Sequence, residues 1–232
     1  MGRVRVYIVR HGETQENRDG IMQGHLDTPL NAAGLEQAQL TAAALEHVQF
    51  AAAHSSDLQR AVKTAETILE KHRGVVLQTH AALRERDMGS MQGQSVAAWR
   101  GGLPADMESA IAFMQRADRW WHETVVRHAR AATAGGSVGG GARAAGAAAA
   151  EQHNVLVVSH GGLIHVMLQN LVESRKLRLA EGVDVGRYRV PNASVTVVEV
   201  DEGGRGTVLM FADRTHLDVE LVEDNADVVE GA

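Results

Sequence analysis

The sequence predicts an α/β protein: a three-layer α/β/α sandwich whose central sheet is mostly parallel, with an antiparallel strand at its edge. Three observations lead there. Apolar, β-branched runs alternate along the chain with segments of helical period. Two of these runs, residues 4–9 and 155–158, end alike, in Arg10-His11-Gly12 and Ser159-His160-Gly161-Gly162. Two late strand patterns, 194–200 and 207–211, are joined by the turn Glu202-Gly203-Gly204, which calls for an antiparallel pair.

The elements follow in order. Residues 4–9 form the first strand, and 19–29, rich in Gly, Asp and Gln, an ordered loop. A helix begins near Asn31, with Leu35, Ala38, Leu45 and Val48 spaced for one buried face. Residues 50–55 are a weak second strand. Residues 58–71 are a helix turning Ala61, Val62, Ala65, Ile68 and Leu69 inward, and Gly74 ends it. Residues 75–77 make a third strand. A further helix runs from Asp106 to about Arg130, with Ile111, Met114 and Trp121 as core positions. Residues 131–150 are almost entirely Ala and Gly and cannot bury enough apolar surface to offset chain entropy, so they read as a flexible surface insertion. After it come the strand at 155–158, a helix over 162–173 and the late strand pair. The acidic tail after 221 reads as loose. The whole of 1–232 is expected to be a single domain.

Composition narrows the function. A chain of 232 residues can bury a substantial core, and a net charge of −6 argues against nucleic acid or an acidic membrane as partner. With no cysteine, thiolate chemistry, disulfides and cysteine-based metal sites are excluded. The chain enters a strand almost at once and has no apolar run of membrane-spanning length, so a cytoplasmic protein, monomer or homodimer, is expected. No His-x-His or His-Glu-x-x-His spacing suggests a metal, and no cofactor is expected.

Chemistry is concentrated at the strand ends. Open α/β sheets build their sites at the carboxyl edge, so two histidines delivered alike can converge on one small anion. Arg10 offers phosphate or carboxylate a planar fork beside the His11 imidazole. Asn17, Gln23 and Gly24 follow where a loop can fold back over the strand end, although turns favour the same residue types. Arg60 lies in the first turn of a helix capped by Ser56 or Asp57; a cation there opposes the helix dipole unless an anion faces it. Glu85, in Arg84-Glu85-Arg86-Asp87, is either a general acid raised by burial or part of a surface salt-bridge cluster. His160 and Gly161 open a helix whose first N–H groups point at the same place. His25, His54 and His216 read as structural, and His165 as packing or capping.

In these motifs the chain resembles the histidine phosphatase superfamily, which includes cofactor-dependent phosphoglycerate mutases and fructose-2,6-bisphosphatases. Val9 to Thr14 with Asn17, Asp57 to Ala61 with Thr64 and Ala65, Leu83 to Glu85 with Gly89 and Gly93, Ser159 to Gly161, and Pro191 to Val195 fall in the family's order. The resemblance implies that His11 is a nucleophile carrying phosphorus as phosphohistidine. It implies that Arg10, Arg60 and His160, assisted by Asn17, cradle the phosphoryl group, and that Glu85 protonates the leaving alkoxide and then activates water. Arg84 to Gly89 departs from the mutase pattern Asn-Glu-Arg-His-Tyr-Gly, and the mutases' basic, Pro-rich segment is missing between Gly93 and Asp106. Both departures favour a phosphatase acting on small phosphorylated metabolites, sugar phosphates among them. A mutase is the alternative, and a non-catalytic phosphate-binding or docking relative the second. Many phosphatases of the group carry Glu where this chain has Gln92.

Overall fold

The computed structural model describes residues 3–97, 99–100, 102–134, 153–186 and 190–217. Seven strands form one sheet: β1 (Arg3–Arg10), β2 (Phe50–Ser56), β3 (Leu77–His80), β4 (His153–Ser159), β5 (Leu177–Leu179), β6 (Val195–Asp201) and β7 (Gly206–Asp213). Their spatial order is β3-β2-β4-β1-β6-β7-β5. β3, β2, β4 and β1 are mutually parallel, and β5 runs parallel to β7. β6 is antiparallel to both β1 and β7. The α/β class and the mostly parallel sheet are as expected, with one correction. The antiparallel strand lies inside the sheet, because the chain adds β5 outside β7 as a new edge. Three residues directly after Arg175 and Lys176, with an arginine at their centre, gave no strand signal there.

Alternation along the strands sorts the core into two layers. Val4, Val6 and Ile8 of β1, with Val155 and Val157 of β4, pack beneath α4 (Ala110–Trp121), α5 (Arg127–Ala134) and α6 (Gly161–Glu173). Val9, Leu156, Val158 and Val197 face the opposite layer, with α2 (Ala32–Leu45) and α3 (Gln59–Leu69). Burying one such aliphatic side chain is worth about 1.5–3 kcal/mol, so the central strands β1 and β4 are held from both sides.

Several expectations shift in detail. In α2 the buried face is Gly34, Gln37, Ala38, Thr41, Ala42 and Leu45, while Leu35 is 38% exposed. The helix turns hydrogen-bonding side chains inward: Gln37 accepts the Glu13 N–H, and the Thr41 hydroxyl bonds the Gln37 carbonyl. Val76 is 76% exposed and β3 begins only at Leu77, because Gly74, at φ +87°, turns the chain first. α4 starts at Ala110, capped by the Ser109 hydroxyl rather than at Asp106. Ile111 is 64% exposed and Met114 half-buried; Phe113, Ala117, Trp120 and Trp121 make the core face. A π-turn, His122–Val126, joins α4 to α5, and its extra residue lets Val125 and Val126 both turn inward after the tryptophan pair. α5 continues to Ala134, into the expected insertion; residues 135–150 and the tail after 221 lie outside the described residues.

Candidate active site

The four adjacent parallel strands deliver the site. β1 ends at Arg10 and His11, β4 at Ser159 and His160, β2 leads into α3 with Arg60 in its first turn, and β3 leads into the loop carrying Glu85. Of these six side chains all but that of Ser159 were expected there, and His11, Arg10, Arg60, Glu85 and His160 are each at most 1% exposed.

The His11 turn fixes which ring nitrogen carries the proton. Its Nδ1 lies 2.7 Å from the Gly12 carbonyl, which can only accept, so Nδ1 carries the proton. Nε2 is therefore the lone-pair nitrogen, and it is buried with no hydrogen-bond partner. The His160 ring stands 5.0 Å away, centroid to centroid, tilted by 60°. Burial holds the His11 pKa well below the ordinary imidazole range, helped by the charges of Arg60 and Arg10 and opposed by the Gly12 hydrogen bond. His160 is lowered likewise, by burial first and then by Arg60, His11, Arg10 and Arg116. Both rings are thus neutral near pH 7, beside two fully buried cations.

Backbone carbonyls aim the two arginines. Arg10 Nη1 donates to the Val190 carbonyl at 2.8 Å, and Arg60 donates to the carbonyls of Leu26 (2.6 Å) and Gly24 (2.9 Å). Gly24, at φ +51°, is therefore structural as well as close to the site: a Cβ there would stand 2.4 Å from Gln92 Oε1. That Gln92 oxygen accepts the His25 N–H at 2.5 Å, so Gln92 ties the 19–29 loop to the acid loop. The cap of α3 differs from expectation. Leu58 is the N-cap, and the Gln59 N–H is taken by Asp27 from that same loop. Asp57 instead forms a two-pronged pair with Arg84, and Ser56 accepts from the Leu58 N–H.

Asn17 and Gln23 are both buried. Asn17 Oδ1 accepts from the Thr14 N–H and from Asn192 Nδ2, each at 3.2 Å, which orients its amide nitrogen away from them. Gln23 Oε1 lies 3.0 Å from the Thr14 hydroxyl and 2.5 Å from that of Thr28. Asn192 also donates to the His11 carbonyl at 3.1 Å, and the Ala193 N–H meets the carbonyls of Arg10 and His11. Gly12 is required by close approach: a Cβ would stand 2.4 Å from the Gly34 carbonyl oxygen.

Glu85 is the buried member of the loop, 1% exposed, while its neighbour Arg84 is salt-bridged to Asp57. The Glu85 carboxylate accepts the Arg86 N–H at 2.9 Å and the Gly162 N–H at 2.8 Å, at the start of α6. One of the helix N–H groups expected to meet substrate is thus engaged by Glu85. A Cβ on Gly162 would stand 2.6 Å from Glu85 Oε1. Outside the loop stands a residue that sequence reasoning missed. Arg116 of α4 donates Nη1 to the carbonyls of Ala82 (2.9 Å) and Arg84 (2.7 Å), and Nη2 to that of Glu85 (2.7 Å). Nε and Nη2 also bind both oxygens of Glu108. His25, expected to be merely structural, donates Nε2 to the same Glu85 carbonyl at 2.9 Å. Among the described residues no group of three or more His, Asp or Glu is arranged to hold a metal, and no helix is long and apolar enough to cross a membrane.

A buried imidazole with an unprotonated nitrogen, two carbonyl-bonded arginines and a carboxylate on a clamped loop are the groups that phosphoryl transfer requires. The chain belongs to the histidine phosphatase superfamily (branch 1), whose profile matches residues 6–213. It is 28% identical over 222 residues to a probable phosphatase of Schizosaccharomyces pombe, covering 94% of this chain and 97% of that one. It is 30% identical to a broad-specificity phosphatase of Saccharomyces cerevisiae, over 84% of this chain and 79% of the relative. Among solved structures, mycobacterial glucosyl-3-phosphoglycerate phosphatase superposes with a TM-score of 0.69 at 26% identity, over 91% of this chain and all of its own.

Proposed function

We propose that the protein hydrolyses phosphomonoesters of small metabolites, sugar phosphates among them, through a phosphohistidine on His11. The observation that carries this is the His11 turn. The Nδ1–H bond to Gly12 leaves Nε2 unprotonated, and burial first, then Arg60 and Arg10, keep it so while the arginine charge awaits a phosphoryl group.

In this reading Nε2 attacks phosphorus as the ester oxygen leaves. Arg10, Arg60 and His160, with Asn17 and Gln23 from the covering loop, bear the charge on the equatorial oxygens. Glu85 gives its proton to the leaving alkoxide, then takes one from the water that attacks the phosphohistidine. Cationic side chains supply the charge compensation, so the reaction proceeds without added metal. The names of the yeast broad-specificity phosphatase and the mycobacterial glucosyl-3-phosphoglycerate phosphatase support small phosphorylated metabolites as the substrate class.

The test is phosphate release from a panel of phosphorylated metabolites in the presence of a chelator, with His11→Ala as control and 3-phosphoglycerate checked for isomerisation. Release that resists the chelator and falls on the order of 10³-fold or more in the variant is expected. Isomerisation without release would replace hydrolysis by mutase chemistry.

A further inference from the structure

The end of the sheet remote from His11 carries a second concentration of positive charge. A concavity of about 460 Å³ opens there between the start of β1, the ends of β6 and β7, and β5. Five cations line it: Arg3, Arg175, Lys176, Arg178 and Arg205, against the two carboxylates of Glu199 and Asp201. In a chain of net charge −6 this is a local excess of the opposite sign.

Strand register builds the floor. Arg178 of β5 stands opposite Thr207 of β7, Thr207 opposite Glu199 of β6, and Glu199 opposite Arg5 of β1. Arg3 and Asp201 form the next row. The carboxylates are already engaged. Glu199 takes Arg3 at 2.6 Å and Arg5 at 3.2 Å, and Asp201 Oδ1 accepts the N–H groups of Gly203 and Arg205. Lys176 is paired with Asp118. Among the described residues, the guanidinium groups of Arg175, Arg178 and Arg205 have neither a hydrogen-bond nor an ion-pair partner.

Arg175 adds an independent observation. It occupies the left-handed position that ends α6, at φ +59°, with its N–H on the Val172 carbonyl and that of Lys176 on the Leu171 carbonyl. This is the turn position glycine fills most easily, yet here it carries a long cation directed to the pocket wall. Guarding an exposed sheet edge with charge would account for Arg178 alone. It does not account for a hollow that also draws on Arg3, three strands further in.

We propose that this concavity is a second anion site, taking a small molecule that carries two phosphoryl groups. Guanidinium forks match phosphate oxygens in pairs, and three uncompensated ones exceed what a single orthophosphate needs. The site lies roughly 25 Å from His11 along β1, at about 3.3 Å per residue, so its occupant is not the reacting group.

Methylenediphosphonate, which is not hydrolysed, is the probe. Its inhibition constant against p-nitrophenyl phosphate reports the catalytic pocket, while calorimetry at low ionic strength counts every site. In the wild type we expect a binding event beyond the one matching that inhibition constant, weakening as salt rises. In Arg175→Gly/Arg178→Ala/Arg205→Ala this event is lost or weakened at least tenfold, with turnover in the probe's absence within about twofold of wild type. Arg175→Gly alone, which suits the positive φ, keeps the fold and loses part of the affinity. A single event in the wild type with Kd equal to the inhibition constant, or unchanged binding in the triple variant, overturns the proposal.

Discussion

Replacing Arg116 with methionine removes the clamp on the acid loop without altering the identity of any side chain expected to touch substrate. The arginine gives three loop carbonyls, those of Ala82, Arg84 and Glu85, a charged donor at 2.7–2.9 Å, and grips both oxygens of Glu108. A hydrogen bond from a charged group is worth about 1.5–3 kcal/mol, but water can replace part of it at a half-buried site, so a stability loss of about 3–5 kcal/mol is expected. The kinetic effect is more diagnostic. A misplacement of about 1 Å in a catalytic group costs on the order of 10²-fold. Protonation of the leaving group matters for an alkoxide and little for p-nitrophenolate. The variant should therefore lose roughly 10²-fold in kcat/KM on an alkyl phosphate but no more than about threefold on p-nitrophenyl phosphate, with Arg116→Lys between it and wild type. Equal losses on both substrates, or no loss on either, would refute the role of Arg116 in placing Glu85.

Two further outcomes follow from the same geometry. Gly162→Ala drives a Cβ to 2.6 Å from Glu85 Oε1, so the carboxylate must move; steady-state kinetics should show kcat reduced about 10-fold or more on alkyl phosphates, and wild-type kcat would contradict the contact. His54 lies between His80 (3.0 Å) and His128 (2.9 Å), and burial with those two neighbours lowers its pKa from 6.5 to about 4. A folded value below the unfolded one means stability is fully present above pH 6.5 and is lost as pH falls toward 4, by about 1–3 kcal/mol once partial solvation is allowed for. Denaturant melts from pH 7 to 4 should show a shallower loss in His54→Gln than in the wild type, and equal slopes would exclude His54 as a source of acid sensitivity.

What the sequence revealed and what it hid divide along physical lines. The residues at the strand ends were legible because a buried strand, a glycine turn and a histidine are all local signals. Asn17, Gln23 and Gly24 were legible only as a loop near the site. Their hydrogen bonds to Thr14, Thr28 and Asn192, and the packing of Gly24 on Gln92, depend on how that loop folds back. Arg116 was hidden because one arginine on an amphipathic helix reads as a solvated side chain until the acid loop is laid against it. The phases of α2 and α4 were misjudged for related reasons. Leu35 and Ile111 fit an apolar stripe, but Gln37 and Thr41 are drawn inward by backbone groups, and the Trp120–Trp121 pair decides which face of α4 is buried. The α3 cap was hidden because Asp27 arrives from a distant segment while the adjacent Asp57 is taken by Arg84.

The most direct test of the account is to mix enzyme with a 32P-labelled substrate, quench within milliseconds in alkali, and map the label. Acid-labile, alkali-stable phosphate on the peptide containing His11, absent in His11→Ala, is the predicted result. Label on another residue, or turnover at the wild-type rate with no label captured and His11 replaced, would contradict it.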